Sequence, residues 1–85
     1  MTHSDIWLAI DKMALENNMT CSAMARRGGL CPTAFNKSKR ETKEGKPRWV
    51  SMQSVVKVLN STGKKMGYFA ELVDHIVEER NDSNL

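Results

Sequence analysis

The sequence is poor in aromatic residues, because Phe, Trp and Tyr together make up 6% of its 85 residues. Most of any core must therefore be built from aliphatic side chains and methionine. No apolar run approaches the roughly 20 residues of a membrane-spanning helix. No segment alternates apolar and polar residues in the manner of a half-buried strand. These absences argue against a membrane protein and favour an all-α domain.

Cysteine is also scarce, since only Cys21 and Cys31 are present. Two cysteines do not make the disulfide framework of a small secreted protein, and their spacing to histidine fits no usual zinc site. The polar start of the chain does not look like a signal peptide, so we expect a cytoplasmic protein with reduced thiols. We expect no metal, no cofactor and no enzymatic activity, because a small domain of short helices offers little concave surface.

The net charge of +3 is unevenly distributed along the chain. Residues 26–65 hold eleven Lys and Arg against two Glu, a net charge of +9, whereas the stretches before and after carry −2 and −4. This distribution is typical of a domain that turns one basic face toward a polyanion. A solvated basic loop would give the same pattern, and charge alone does not separate the two interpretations.

Apolar residues recur every three or four positions, which predicts five helices with short connections. They cover about residues 5–16, 21–27, 32–39, 52–62 and 66–80, with Ser4, Thr20 and Ser51 as N-caps and Gly63 as a stop. Pro32 is expected in the first turn of the third helix, a position that proline favours. We expect one domain over residues 1–80 and a frayed tail or the start of a linker at 81–85.

Residues 24–40 read as a short helix, a Gly28-Gly29 turn and a second short helix, the arrangement of a DNA-binding helix-turn-helix. The major groove admits one α-helix whose exposed face carries polar side chains. With Phe35 buried, the opposite face of the third helix is free for this role. The predicted base-reading residues are Pro32, Thr33, Asn36, Lys37 and Arg40.

The loop at 41–49 follows this helix and is marked by Gly45 and Pro47. Lys and Arg in such a loop can contact phosphates, which sets the register on DNA without reading its sequence. The predicted phosphate-contacting residues are Arg26, Arg27, Lys39, Lys43, Lys46 and Arg48. Arg26 and Arg27 could instead serve the helix dipole. We expect Trp49 to pack at the edge of the core.

The residues that carry a resemblance to a known family lie at 6–11, 25–30, 32–40, 47–49 and 57–63. In this order they resemble the lambda-repressor-like (Xre-type) helix-turn-helix domain, close to the N-terminal domain of phage-type repressors that carry a LexA-like peptidase domain. The resemblance implies a five-helix fold, a third helix in the major groove and dimeric binding to a two-fold operator. Gly28, Cys31 and Ser38 depart from the family pattern. These 85 residues contain no peptidase segment, so self-cleavage is not implied.

The last predicted helix carries an apolar stripe that is wide for a helix completing a small core. Its residues are candidates for dimerisation, with packing inside the domain as the equal alternative: Met66, Leu72, Val73, Ile76 and Val77. The expected function is sequence-specific binding of double-stranded DNA by a homodimer, as a transcriptional regulator of the phage-repressor type. The alternative is a protein-interaction module, such as a small antitoxin or adaptor, that binds its partner through this last helix.

Overall fold

Residues 1–82 are described in the computed structural model, with side chains to residue 80, and their architecture is all-helical. The four α-helices are α1 (His3–Glu16), α2 (Cys21–Arg27), α3 (Met52–Thr62) and α4 (Met66–Asp82), and a 3₁₀ helix spans Lys37–Lys39. Helix α1 packs mainly against α4, and α2 contacts both α1 and α3. No helix in this range is both long and apolar enough to cross a membrane. The predicted all-α class is confirmed, and residues 83–85 of the predicted tail lie outside the described residues.

The helix ends follow the capping chemistry of the sequence. The hydroxyl of Thr20 accepts a hydrogen bond from the amide of Ala23 at 3.0 Å, and Ser51 caps α3 in the same way. Gly63 ends α3 in a left-handed conformation, with φ of 71°. Helix α1 begins two residues earlier than predicted, and its N-cap is Thr2 rather than the predicted Ser4, because Thr2 and Asp5 form a capping box.

The core lies where the four helices meet, and its largest fully buried side chains are Ile10, Met13, Met24, Phe35, Val55 and Val58. Between Ala25 and Val55, a stretch that the structure describes in full, Phe35 alone belongs to the buried core. Its ring meets that of Trp7 on α1 edge to face, with 6.4 Å between ring centroids. In the long connection from α2 to α3, Leu30, Ala34 and Val50 are partly buried against the core, and Phe35 is the side chain that enters it.

The predicted third helix is not formed, so the predicted five-helix count is wrong and the helix-turn-helix lacks its second α-helix. Residues 32–35 form turns, Asn36 is extended with φ of −62° and ψ of 149°, and only the 3₁₀ turn at Lys37–Lys39 follows. Isolated helices below about 12–15 residues are marginal and depend on packing of an apolar face. With Phe35 as its single buried residue, this segment lacks such a face.

The apolar stripe of α4, predicted as a dimer surface, packs largely within the domain. Leu72 and Val73 are buried, and Ile76 and Val77 are half-buried against the core. Only Met66 at the start of the helix is exposed. Four of these five residues therefore pack inside the domain, which was the alternative to dimerisation, because α4 is the main packing partner of α1.

An ion pair joins the start of α1 to the far end of α4. Asp5 is buried, with 2% of its surface exposed, and Nη1 of Arg80 lies 2.6 Å from each of its carboxylate oxygens. The same carboxylate accepts the amide of Thr2 at 2.7 Å. A buried carboxylate with this set of donors is satisfied, so Asp5 serves the fold.

Candidate nucleic-acid interface

The loop predicted at 41–49 forms a small hairpin, which we call the basic hairpin (residues 40–48). The amide of Arg48 donates to the carbonyl of Arg40, and that of Thr42 to the carbonyl of Lys46, both at 2.9 Å. An isolated antiparallel bridge pairs Glu41 with Pro47. Gly45 takes φ of 78° in the turn, a conformation that glycine adopts without steric cost. The basic side chains of this segment are thus displayed on an ordered backbone.

Two side chains of α1 hold the base of the hairpin. Nε2 of His3 lies 2.9 Å from the carbonyl oxygen of Arg40 and 2.8 Å from that of Arg48. The same nitrogen lies 3.0 Å from the indole nitrogen of Trp7 and 3.2 Å from the amide nitrogen of Arg48, so both acceptors and donors of the hairpin base converge on His3. The indole N–H of Trp7 donates to the same Arg48 carbonyl at 2.8 Å. Both arms of the basic hairpin are thereby attached to the first helix.

Arg40 occupies the junction between hairpin, 3₁₀ helix and α1. Its guanidinium makes two hydrogen bonds to Asp11, at 3.0 and 2.7 Å, and a third to the carbonyl of Phe35 at 3.0 Å. It also lies over the ring of Trp7, 4.7 Å from the centroid. With only 15% of its side chain exposed, Arg40 is occupied inside the protein. The structure therefore places this predicted base-reading residue in a positioning role.

The contacts of α1 with the 35–48 segment come from one stripe, since His3, Trp7 and Asp11 are spaced four residues apart. This spacing puts three side chains on one face of a helix. The sequence carried that signal, but the stripe mixes an imidazole, an indole and a carboxylate. A search for apolar periodicity therefore misses it.

The other predicted base-reading residues lie on the turn after α2 and at the 3₁₀ helix. Thr33, Asn36 and Lys37 are exposed, whereas Pro32 is half-buried. The hydroxyl of Thr33 lies 3.2 Å from the Cys31 sulfur. The structure brings these residues to one irregular segment rather than to the face of a helix.

The predicted phosphate-contacting residues are all exposed, on the end of α2, the 3₁₀ helix and the basic hairpin. They are Arg26, Arg27, Lys39, Lys43, Lys46 and Arg48. Among residues 1–80, neither of the two ion pairs, Arg40–Asp11 and Arg80–Asp5, involves any of them. Uncompensated cations of this kind remain available to an anion.

The two cysteines have opposite surroundings. Cys21 is half-buried and donates to Asp11 at 3.3 Å, and burial together with that carboxylate raises the pKa of its thiol to about 11. Cys31 is exposed, and hydrogen bonds from Thr33 lower the pKa of its thiol. Within the described residues, no group of three His, Cys, Asp or Glu side chains could hold a metal ion.

The two ion-paired aspartates make the fold sensitive to acid. The amide of Thr2 lowers the pKa of Asp5, with a further contribution from Arg80, and hydrogen bonds from Arg40 lower the pKa of Asp11, both from 3.8. A carboxylate with a lower pKa in the folded state adds stability above its unfolded pKa and loses it as the pH falls. We expect the free energy of unfolding from urea titrations to decline as the pH falls through about 4.

The exposed Asp74 provides the matched variant for this measurement. Asp11→Asn should flatten part of the decline, because the variant has one fewer carboxylate to protonate, whereas Asp74→Asn should leave the pH profile as it is. A wild-type profile that stays level down to pH values well below 4 would contradict the assignment.

Comparisons of the chain with protein-family models, with curated proteins and with solved structures return no match. The site itself consists of a basic hairpin hydrogen-bonded to α1, a polar turn beside it, and exposed cations that form no ion pair within the described residues.

Proposed function

We propose that this chain is a DNA-binding domain that acts as a transcriptional regulator of the phage-repressor type. The observation that carries the proposal is the basic hairpin, because its Lys43, Lys46 and Arg48 side chains are exposed and unpaired on a backbone held to α1. Phosphates of nucleic acid are the polyanion that such a surface suits best. The hairpin also carries Glu41 and Glu44, but within the described residues neither of them forms an ion pair with Lys43, Lys46 or Arg48.

In this proposal the hairpin contacts phosphates, and the turn beside it supplies the base contacts. Thr33, Asn36 and Lys37 are exposed next to the hairpin and carry the hydroxyl, amide and ammonium groups that pair with base edges. An irregular segment reaches less deeply into the major groove than a helix does. We therefore expect phosphate contacts to supply most of the affinity, with binding as a homodimer adding the reach of a second half-site.

Selection of sites from a random duplex pool, followed by binding across a salt series, tests this function. The logarithm of affinity should fall with slope about −0.9 per phosphate contact against the logarithm of salt. Asn36→Ala should reduce preference among sequences, whereas Lys46→Ala should weaken all sequences alike and make the slope shallower by about 1. An affinity that does not depend on salt, with no enriched sequence, would contradict the proposal.

A second candidate is a protein-interaction module, favoured by a groove of about 600 Å³ between α1 and α4. Leu8 and Leu15 project into it from α1 and are 51% and 76% exposed, and Ile76 contributes from α4. Exposed apolar residues that cluster in a groove are typical of contact surfaces. The double variant Leu8→Ser, Leu15→Ser should leave DNA affinity unchanged if DNA is the ligand. If the chain is a protein-interaction module, the same variant should lose association with its protein partner.

A further inference from the structure

A cleft of about 410 Å³ lies between the turn after α2, the end of the basic hairpin and the start of α3. Trp7 and Phe35, which belong to the hydrophobic core, form part of its wall. The polar residues around it that matter here are Thr33, Lys39, Arg48, Trp49, Ser51 and Ser54.

The charge around this cleft is of one sign. Lys39 and Arg48 line it, and the lining includes neither Asp nor Glu. Two other grooves in the described part of the chain include carboxylates, with Asp5, Asp11 and Glu79 in one and Glu41 in the other. A further groove at the end of α3 has Lys64 and Lys65 without a carboxylate, but no arginine or indole lines it. Two cations without a neighbouring carboxylate attract a small anion.

Trp49 adds an uncharged donor to the same cleft. It was expected to pack at the edge of the core, but the structure leaves 59% of its surface exposed, so that expectation is wrong. Its ring meets the ring of His3 edge to face, with 5.7 Å between centroids. Among the described residues its indole N–H has no hydrogen-bond partner. His3, which also holds the hairpin, thus supports an exposed indole beside two cations.

The serines at the start of α3 are occupied within the protein. The hydroxyl of Ser51 accepts the amide of Ser54 at 3.1 Å and donates to its hydroxyl at 2.8 Å. The hydroxyl of Thr33 and the thiol of Cys31, which also line the cleft, are hydrogen-bonded to each other at 3.2 Å. The groups left to hold a ligand are therefore the Lys39 ammonium, the Arg48 guanidinium and the Trp49 N–H. All three donate hydrogen bonds, and none accepts one.

We propose that this cleft binds one backbone phosphate of DNA, with the face of Trp49 against the adjoining deoxyribose. Charged donors supply the stronger hydrogen bonds to phosphate oxygens. The indole combines an apolar face for the sugar with one N–H for the phosphate. This inference rests on the proposed function and assigns to Trp49 a ligand contact.

Fluorescence and binding of the full chain test this assignment together, with a fluorescein-labelled duplex of random sequence as the probe at low salt. DNA should change the emission of Trp49, and the change should be absent in Trp49→Phe, which retains only the buried Trp7. Lys39→Gln should weaken binding about tenfold, the loss expected of one charge-assisted hydrogen bond. The effects of Lys39→Gln and Trp49→Phe should not multiply, because both residues hold one phosphate.

Lys65→Gln is the matched control, because Lys65 lies beyond the opposite end of α3, a helix of 11 residues and about 16 Å. Two results together would contradict phosphate binding in the cleft: Trp49 emission that does not change on DNA binding, and a DNA affinity of Lys39→Gln no lower than that of Lys65→Gln. The proposed function would still hold in that case. If the wild-type chain does not bind the duplex at low salt, the proposed function fails and the cleft assignment fails with it. Circular dichroism of each variant separates these outcomes from loss of folding.

Discussion

Arg40→Met should lower the free energy of unfolding by about 2–3 kcal/mol, measured by urea denaturation followed by circular dichroism. Methionine keeps much of the volume but loses the two bonds to Asp11, the bond to the Phe35 carbonyl and the contact with the Trp7 ring. Removing one partner of a well-buried ion pair costs about 3–5 kcal/mol. The lower figure applies here because the Asp11 side chain is 38% exposed and water can replace part of the pairing.

Lys39→Met is the control for this prediction, because it removes a cation one residue earlier from an exposed position. It should change the free energy of unfolding by no more than about 0.5 kcal/mol. A cycle with Asp11→Asn should show that the two residues are coupled, since they share two hydrogen bonds. Equal losses in Arg40→Met and Lys39→Met would mean that Arg40 does not hold the connection to α1.

Neutralising three cations of the basic hairpin together, as Lys43→Gln, Lys46→Gln and Arg48→Gln, should weaken DNA binding roughly 100- to 1,000-fold at about 50 mM salt. Each phosphate contact contributes about one decade of affinity at that salt concentration, through release of counterions. The slope of log affinity against log salt should also become shallower by about 2.7. Stability should change little, because the hairpin is held through the main chain of Arg48 rather than through these side chains.

A second triple variant separates position from net charge: Lys12→Gln, Lys64→Gln and Lys65→Gln remove the same charge from positions outside the hairpin. Fluorescence anisotropy of a labelled duplex should show a loss much smaller than that of the hairpin variant. If both triple variants lose affinity equally, general attraction to a basic protein accounts for binding, and the hairpin has no special role.

Much of the architecture could be read from local sequence. The caps at Thr20 and Ser51 and the stop at Gly63 are interactions within four residues, so they appear in the sequence as spacing. The apolar periodicity of α1 and α4 likewise predicts these two helices. The burial of Phe35 is predicted because it is the one large apolar residue in its segment. The basic character of residues 26–65 is likewise a property of composition.

What the tertiary structure alone decided is the conformation and the use of residues 32–49. Their backbone depends on contacts with α1 across long separations, 29 residues from Asp11 to Arg40 and 45 from His3 to Arg48. Local pattern cannot anticipate that an arginine on a predicted DNA-reading helix will instead meet a carboxylate of the first helix. Nor can it tell which tryptophan is covered: Trp7 is buried under Arg40, and Trp49 is left exposed. Helix signals act within a few residues, whereas burial and charge pairing are set by which distant segments share the core.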